Sequence, residues 1–153
     1  MKLQWFTFSF EQFSTYQLYE VLALRSQVFV VEQNCVYQDI DGADQMALHI
    51  CAYDMQDNGP VLVAYARIFN AGIKFAEAAI GRVLTHHNYR DKKLGHLLLQ
   101  QSLTAIQENF GAQAIRIGAQ THLEKFYMKY GFVPVGASFL EDGIEHTEIL
   151  RAI

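Results

Sequence analysis

The stretch 78–119 constrains the fold more than any other part of the chain. It reads as a strand (78–85), a polar loop (Tyr89 to Gly95), a long amphipathic helix and a second strand (114–119). Leu94, Leu97, Leu98, Leu99, Leu103, Ile106 and Phe110 form the apolar face of the helix, and Gly111 supplies its stop. Two strands joined by such a crossover run parallel. No second clear crossover exists. Residues 2–8 alternate like an edge strand. Ser14 with Gln17 three residues on opens a helix that continues through Leu18, Val21, Leu22, Arg25, Val28 and Phe29. Strands at 47–55 and 61–69 flank the turn Asp57-Asn58-Gly59-Pro60. A helix over 121–130 ends at Gly131, and strands at 132–139 and 145–151 flank Glu141-Asp142-Gly143. This order predicts a mixed α/β (α+β) sheet with helices on both faces, as a single domain over 1–153.

Composition narrows the function. With 153 residues, 51% of them hydrophobic and 18% charged, the chain can bury a sizeable core and is not disordered. Its formal charge of -4 argues against a nucleic-acid partner. No apolar run long enough to span a bilayer and no secretory leader are present, so no membrane partner is expected. Cys35 and Cys51 lack CxxC or zinc spacing, and two thiols in a chain of this size fit a reducing, cytoplasmic setting. The six histidines show no recognised ligand spacing, so no metal is expected. Asp39, Asp41 and Asp44 around Gly42 fail the calcium-loop pattern, because its twelfth position is Ile50. They read as a turn whose carboxylates are available to a cationic acceptor. Cys35 has no visible partner base for nucleophilic work.

Arg90-Asp91-Lys92-Lys93-Leu94-Gly95-His96 is the basic exception in an acidic chain. It precedes a helix, whose first amides lack internal partners and carry the positive end of the dipole. Gly95 permits close backbone approach. The physical reading is an anion site suited to a pyrophosphate; the plainer reading is a solvated basic turn.

The strand ending in Gly81-Arg82-Val83-Leu84-Thr85, followed by this loop, resembles motif A of the GNAT N-acetyltransferases, R/Q-x-x-G-x-G/A, with Arg90 first and Gly95 last. Lys93 stands where the family has Gly, a change a helical backbone would tolerate. Gln120-x-x-Leu123-x-x-Phe126-Tyr127-x-Lys129-x-Gly131-Phe132 resembles motif B, with Gln120 for Asn and Leu123 for Ala. The stretch Leu24 to Cys35, then Tyr37 to Asp44, His49 and Glu141 to His146, is similar to the ElaA-type subfamily. The resemblance implies a splayed, mixed, mostly antiparallel GNAT sheet with acetyl-CoA in the V. It implies that Val83, Leu84 and Thr85 pair with the pantetheine arm, that Arg90, Asp91, Lys92, Lys93, Leu94, Gly95 and His96 hold the pyrophosphate, and that Gln120 lies close to the cofactor. Tyr127 becomes the general acid that protonates the departing thiolate. The acceptor is a small-molecule or peptide amine, and a homodimer is left open. The base is undetermined among Glu32, Glu77, His49 and His146. A silent acyl-CoA-binding module, or an acyl-homoserine-lactone-synthase-like acyltransferase, is the alternative.

Overall fold

The computed structural model describes residues 1–153. Eleven elements follow the expected order. They are β1 (Leu3–Ser9), α1 (Thr15–Arg25), β2 (Leu48–Gln56), β3 (Gly59–Phe69), β4 (Ala78–Thr85), α2 (Leu94–Phe110), β5 (Ile115–Gln120), α3 (Glu124–Met128), β6 (Val133–Pro134), β7 (Phe139–Glu141) and β8 (Ile144–Arg151). One sheet runs β1-β2-β3-β4-β5-β8-β6, with β7 also on β8. Every pairing is antiparallel except β4 with β5.

The local signals work as the sequence implies. Ser14 Oγ accepts from the Gln17 N–H at 3.1 Å, and Gln17 Oε1 accepts from the Ser14 N–H at 2.9 Å. This reciprocal box satisfies two donors that the first turn of α1 would otherwise leave free. Past Arg25 the helix widens into a π-type segment, Ser26–Glu32. In the β7–β8 hairpin Asp142 (φ 51) and Gly143 (φ 78) are both left-handed. A two-residue hairpin loop needs that geometry to match strand twist, and Asp-Gly provides it at low cost.

Two apolar layers cover the sheet. Leu94, Leu98, Leu99, Ala105 and Ile106 of α2 pack with Val63, Ala66 and Ile68 of β3 on one face. Val21, Leu24 and Val28 pack with Tyr65 and Leu84 on the other. Each fully buried Leu contributes about 1.5–3 kcal/mol.

One expected strand is broken. Instead of a continuous run over 132–139, the chain pairs at Val133–Pro134 and again at Phe139–Glu141. Pro134 has no N–H to donate, and Gly136 lies between the two pieces at φ 87, outside the strand region.

Candidate active site

β4 and β5 touch only at their starts, Ala78 with Ile115 and Ala79 with Arg116. Beyond that β4 stays on β3 and β5 stays on β8, so the strands splay apart. From Ile80 to Thr85 the edge of β4 that faces the V has no strand partner, and its backbone groups are free for an extended ligand. A cleft of about 450 Å³ opens here, lined by Val83 on β4, Ile117 to Gln120 on β5 and Tyr127 on α3.

β4 is itself irregular where the V opens. Leu84 faces Tyr65 and Gly81 faces Arg67, which leaves Arg82 and Val83 together opposite Ala66. This is a bulge, with two residues against one and a ladder locally interrupted. Arg82 carries φ 52, an uncommon conformation for a side chain other than Gly. Leu84 packs into the α1-side core, so it offers a ligand its backbone alone.

Tyr127 is 4% exposed, with its ring edge-on to Phe126 and Phe132. Burial alone pushes its phenol up to about 12. It is protonated at neutral pH and lines the cleft wall. Gln120, at the end of β5, donates from Nε2 to Gln33 Oε1 at 3.3 Å across the cleft mouth.

The basic loop is a 3₁₀ turn over His87–Lys92, and Tyr89 anchors it by donating to Asp54 Oδ2 at 2.8 Å. Arg90 is not free: its Nη2 donates to Glu32 Oε1 at 2.6 Å. Asp91, Lys92 and Lys93 are exposed. Lys93 is left-handed (φ 57) and precedes the first residue of α2, so the expectation of a helical backbone there is corrected. The chain needs this conformation to turn from the 3₁₀ segment into α2. Leu94 is in the core and has only its backbone to offer a ligand. A Cβ on Gly95 would meet the Phe126 ring at 3.6 Å, so Gly95 also brings α2 close to α3. His96 Nδ1 and Tyr130 Oη are 2.8 Å apart, which ties α2 to the turn that follows α3.

The four candidate bases separate clearly. Glu32 is bound to Arg90. Glu77 accepts from Arg116 Nε at 3.0 Å, at the closed end of the V. His49 is 1% exposed, with Nδ1 at 2.7 Å from Tyr65 Oη and Nε2 at 2.9 Å from the Asp44 carbonyl. Both its nitrogens are occupied, and burial lowers its pKa, so it is a neutral core group. His146 lines the cleft. Its Nδ1 donates to the Ile144 carbonyl at 2.8 Å, which leaves the Nε2 lone pair available, 3.5 Å from Glu141 Oε2. Cys35 is a free thiol whose Sγ donates to the Asp142 carbonyl.

The acidic turn is also corrected. Asp39, Asp41 and Asp44 are not available to a cationic acceptor, because Arg25, Arg67, Arg82 and Lys74 already bind them. Arg25 and Arg67 were not singled out by the sequence reading. The signal was present: both are charged residues at positions where the helix and strand patterns call for apolar, inward-facing side chains.

The match to a family model for the acetyltransferase (GNAT) domain spans residues 10–149. The chain belongs to the GNAT acetyltransferase family. Within it, the chain is 38% identical over 153 residues to protein ElaA of Escherichia coli, covering 99% of this chain and 97% of that one. The crystal structure of Escherichia coli ElaA matches with a TM-score of 0.88, covering 98% of this chain and 99% of that one. The crystal structure of an acyl-CoA N-acyltransferase from Pseudomonas aeruginosa matches with a TM-score of 0.91 at 35% identity, covering 99% and 100%. The acyl-homoserine-lactone synthase LasI shares the fold, with a TM-score of 0.74 at 19% identity, covering 99% of this chain and 89% of that one. The open V of β4 and β5 is thus that of a GNAT-family transferase fold.

Proposed function

We propose that the protein transfers an acetyl group from acetyl-CoA to a primary amine by direct attack in a ternary complex. The observation that carries this reading is Tyr127, a protonated phenol buried in the wall of the V beside the unpartnered edge of β4.

The unpaired edge at Val83 to Thr85 takes the pantetheine arm as an added strand. Lys92, Lys93 and the first amides of α2 meet the pyrophosphate, with Arg90 once it leaves Glu32. A neutral amine attacks the thioester carbonyl carbon, forming the new C–N bond. A backbone N–H at the bulge stabilises the charge that develops on the carbonyl oxygen. The C–S bond then breaks, and the sulfur takes the phenolic proton of Tyr127. The proton lost by the amine goes to His146 Nε2, directly or through water, since the other candidate bases are engaged elsewhere. Tyr127 recovers its proton from solvent.

The test is release of free CoA thiol from acetyl-CoA over a panel of primary amines, with Tyr127→Phe alongside. Turnover with at least one amine, lost in the variant, supports the reading. Tight CoA binding without turnover of any amine would favour a silent acyl-CoA-binding module.

A further inference from the structure

The cleft is electrically uneven. On its β3–β4 side Arg67, Lys74 and Arg82 line the cleft, and with Arg25 buried behind them they share three carboxylates, Asp39, Asp41 and Asp44. Four positive groups against three negative ones leave one positive charge. His49, which touches this network through the Asp44 carbonyl, is neutral and adds nothing to it.

The hydrogen-bond account is also incomplete on the same side. Every nitrogen of Arg25 has an acceptor: Nε and Nη2 reach Asp39, and Nη1 reaches Asp44. Arg67 is 2% exposed and lines the cleft, yet only its two terminal nitrogens are used, on Asp41 and Asp44. Its Nε is buried with no acceptor. Such a donor normally finds a partner, because leaving it bare carries a desolvation cost. Lys74 Nζ uses one of its three hydrogens, on Asp41 at 3.2 Å. Donors and charge are thus in excess on one wall of the cleft.

The opposite wall has the reverse sign. Glu141 and Asp142 line the cleft at the β7–β8 hairpin, next to His146. Arg82 is one of the two bulge residues, so the positive wall begins at the bulge itself.

From this polarity we propose that the amine acceptor carries a carboxylate, which Arg67, Lys74 and Arg82 bind while its amino group faces Glu141 and His146. The acceptor class is an amino acid or an N-terminal-like zwitterion rather than a polyamine. A polyamine would place its second cation against the wall that already has surplus positive charge. This deepens the acetyl-transfer reading and rests on it for the identity of the reacting group.

The experiment has two arms. The first compares acetyl transfer to matched amines with and without the carboxylate: phenylalanine with phenethylamine, β-alanine with ethylamine, and γ-aminobutyrate with propylamine, each rate taken per unprotonated amine. The carboxylated member is expected to be favoured about 10- to 100-fold in kcat/KM in at least one pair, the scale of one charge-assisted hydrogen bond. Equal rates, or faster reaction of the plain amines, would overturn the inference and leave acetyl transfer standing.

The second arm needs no turnover. N-acetylphenylalanine and its methyl ester are titrated calorimetrically into the CoA-loaded protein. The acid should bind at least about 10-fold tighter than the ester. Lys74→Gln should weaken, and Lys74→Glu abolish, that preference without changing CoA affinity or the melting temperature beyond a few degrees. Lys74 is partly exposed, so both variants keep the core intact. Acid and ester binding alike, or not at all, would sink the proposal even if no amine is acetylated. Tighter binding of the matching phosphonate than of the carboxylate would also overturn it, in favour of a dianionic acceptor.

Discussion

Arg90 Nη2 donates to Glu32 Oε1 at 2.6 Å, so the first residue of the phosphate-loop motif is held by the segment that follows α1, 58 positions earlier in the chain. The contact closes the basic loop onto the α1 side of the molecule. It also puts a carboxylate in competition with any phosphate that Arg90 is to bind. Glu32→Gln should therefore tighten CoA binding by about 2- to 5-fold, the scale of an exposed ion pair. Calorimetric titration at low salt checks this. Weaker binding would mean that Glu32 positions Arg90 rather than competing for it.

Lys93 combines a useful charge with a strained backbone. Lys93→Gly should relieve a left-handed residue and raise stability by about 1 kcal/mol, less the entropy that Gly returns to the unfolded chain. Lys93→Glu keeps the strain and reverses the charge, and should weaken CoA binding by about 1–3 kcal/mol. Melting curves and CoA titrations on the same two proteins separate the effects. Unchanged affinity in folded Lys93→Glu would reduce the loop to a solvated turn.

Tyr127→Phe retains the ring and its contacts with Phe126 and Phe132. If the phenol protonates the thiolate, kcat should fall by about 10²–10⁴ while CoA affinity barely moves. Steady-state kinetics with a working amine decide. A normal kcat would end the assignment of Tyr127 as the acid.

His49 makes stability depend on pH. Burial holds its folded pKa below the usual histidine value. Below pH ~6.5 the unfolded chain takes up a proton that folded His49 refuses, so acid favours unfolding. Stability should be full above about pH 7 and fall toward pH 5, with a slope of up to ~1.4 kcal/mol per pH unit. His86 adds an effect of the same sign, since burial lowers its pKa too. In His49→Gln the protein should be less stable at pH 7, and the slope between pH 7 and 5 should flatten. Chemical denaturation at several pH values measures both, and an unchanged slope would refute the assignment.

Asp44 accepts from both Arg25 Nη1 and Arg67 Nη1, at 2.7 and 2.8 Å. Asp44→Asn keeps the shape and removes the charge, leaving two buried guanidinium groups under-compensated. A loss of about 3–5 kcal/mol is expected by denaturant unfolding. A loss below about 1 kcal/mol would mean that water or the remaining aspartates neutralise them.

The sequence by itself determined the elements and their order. Capping residues at Ser14 and Gln17, the Asp142-Gly143 turn and the leucine face of α2 act through neighbours within a few residues, so one-dimensional spacing suffices to read them. The parallel β4–β5 pair followed from its helical crossover for the same reason. Tyr127 and the basic loop stood out as candidates because their spacing matches a family pattern. Tertiary structure alone decided which charges are spent. Nothing local reveals that Arg90 meets Glu32, that His49 lies buried against Tyr65, or that Asp39, Asp41 and Asp44 are taken by arginines from α1, β3 and β4. Those partners lie 14 to 58 residues apart along the chain. Ionic pairing depends on distance in space and on desolvation, and neither quantity is set until the sheet has brought the strands together.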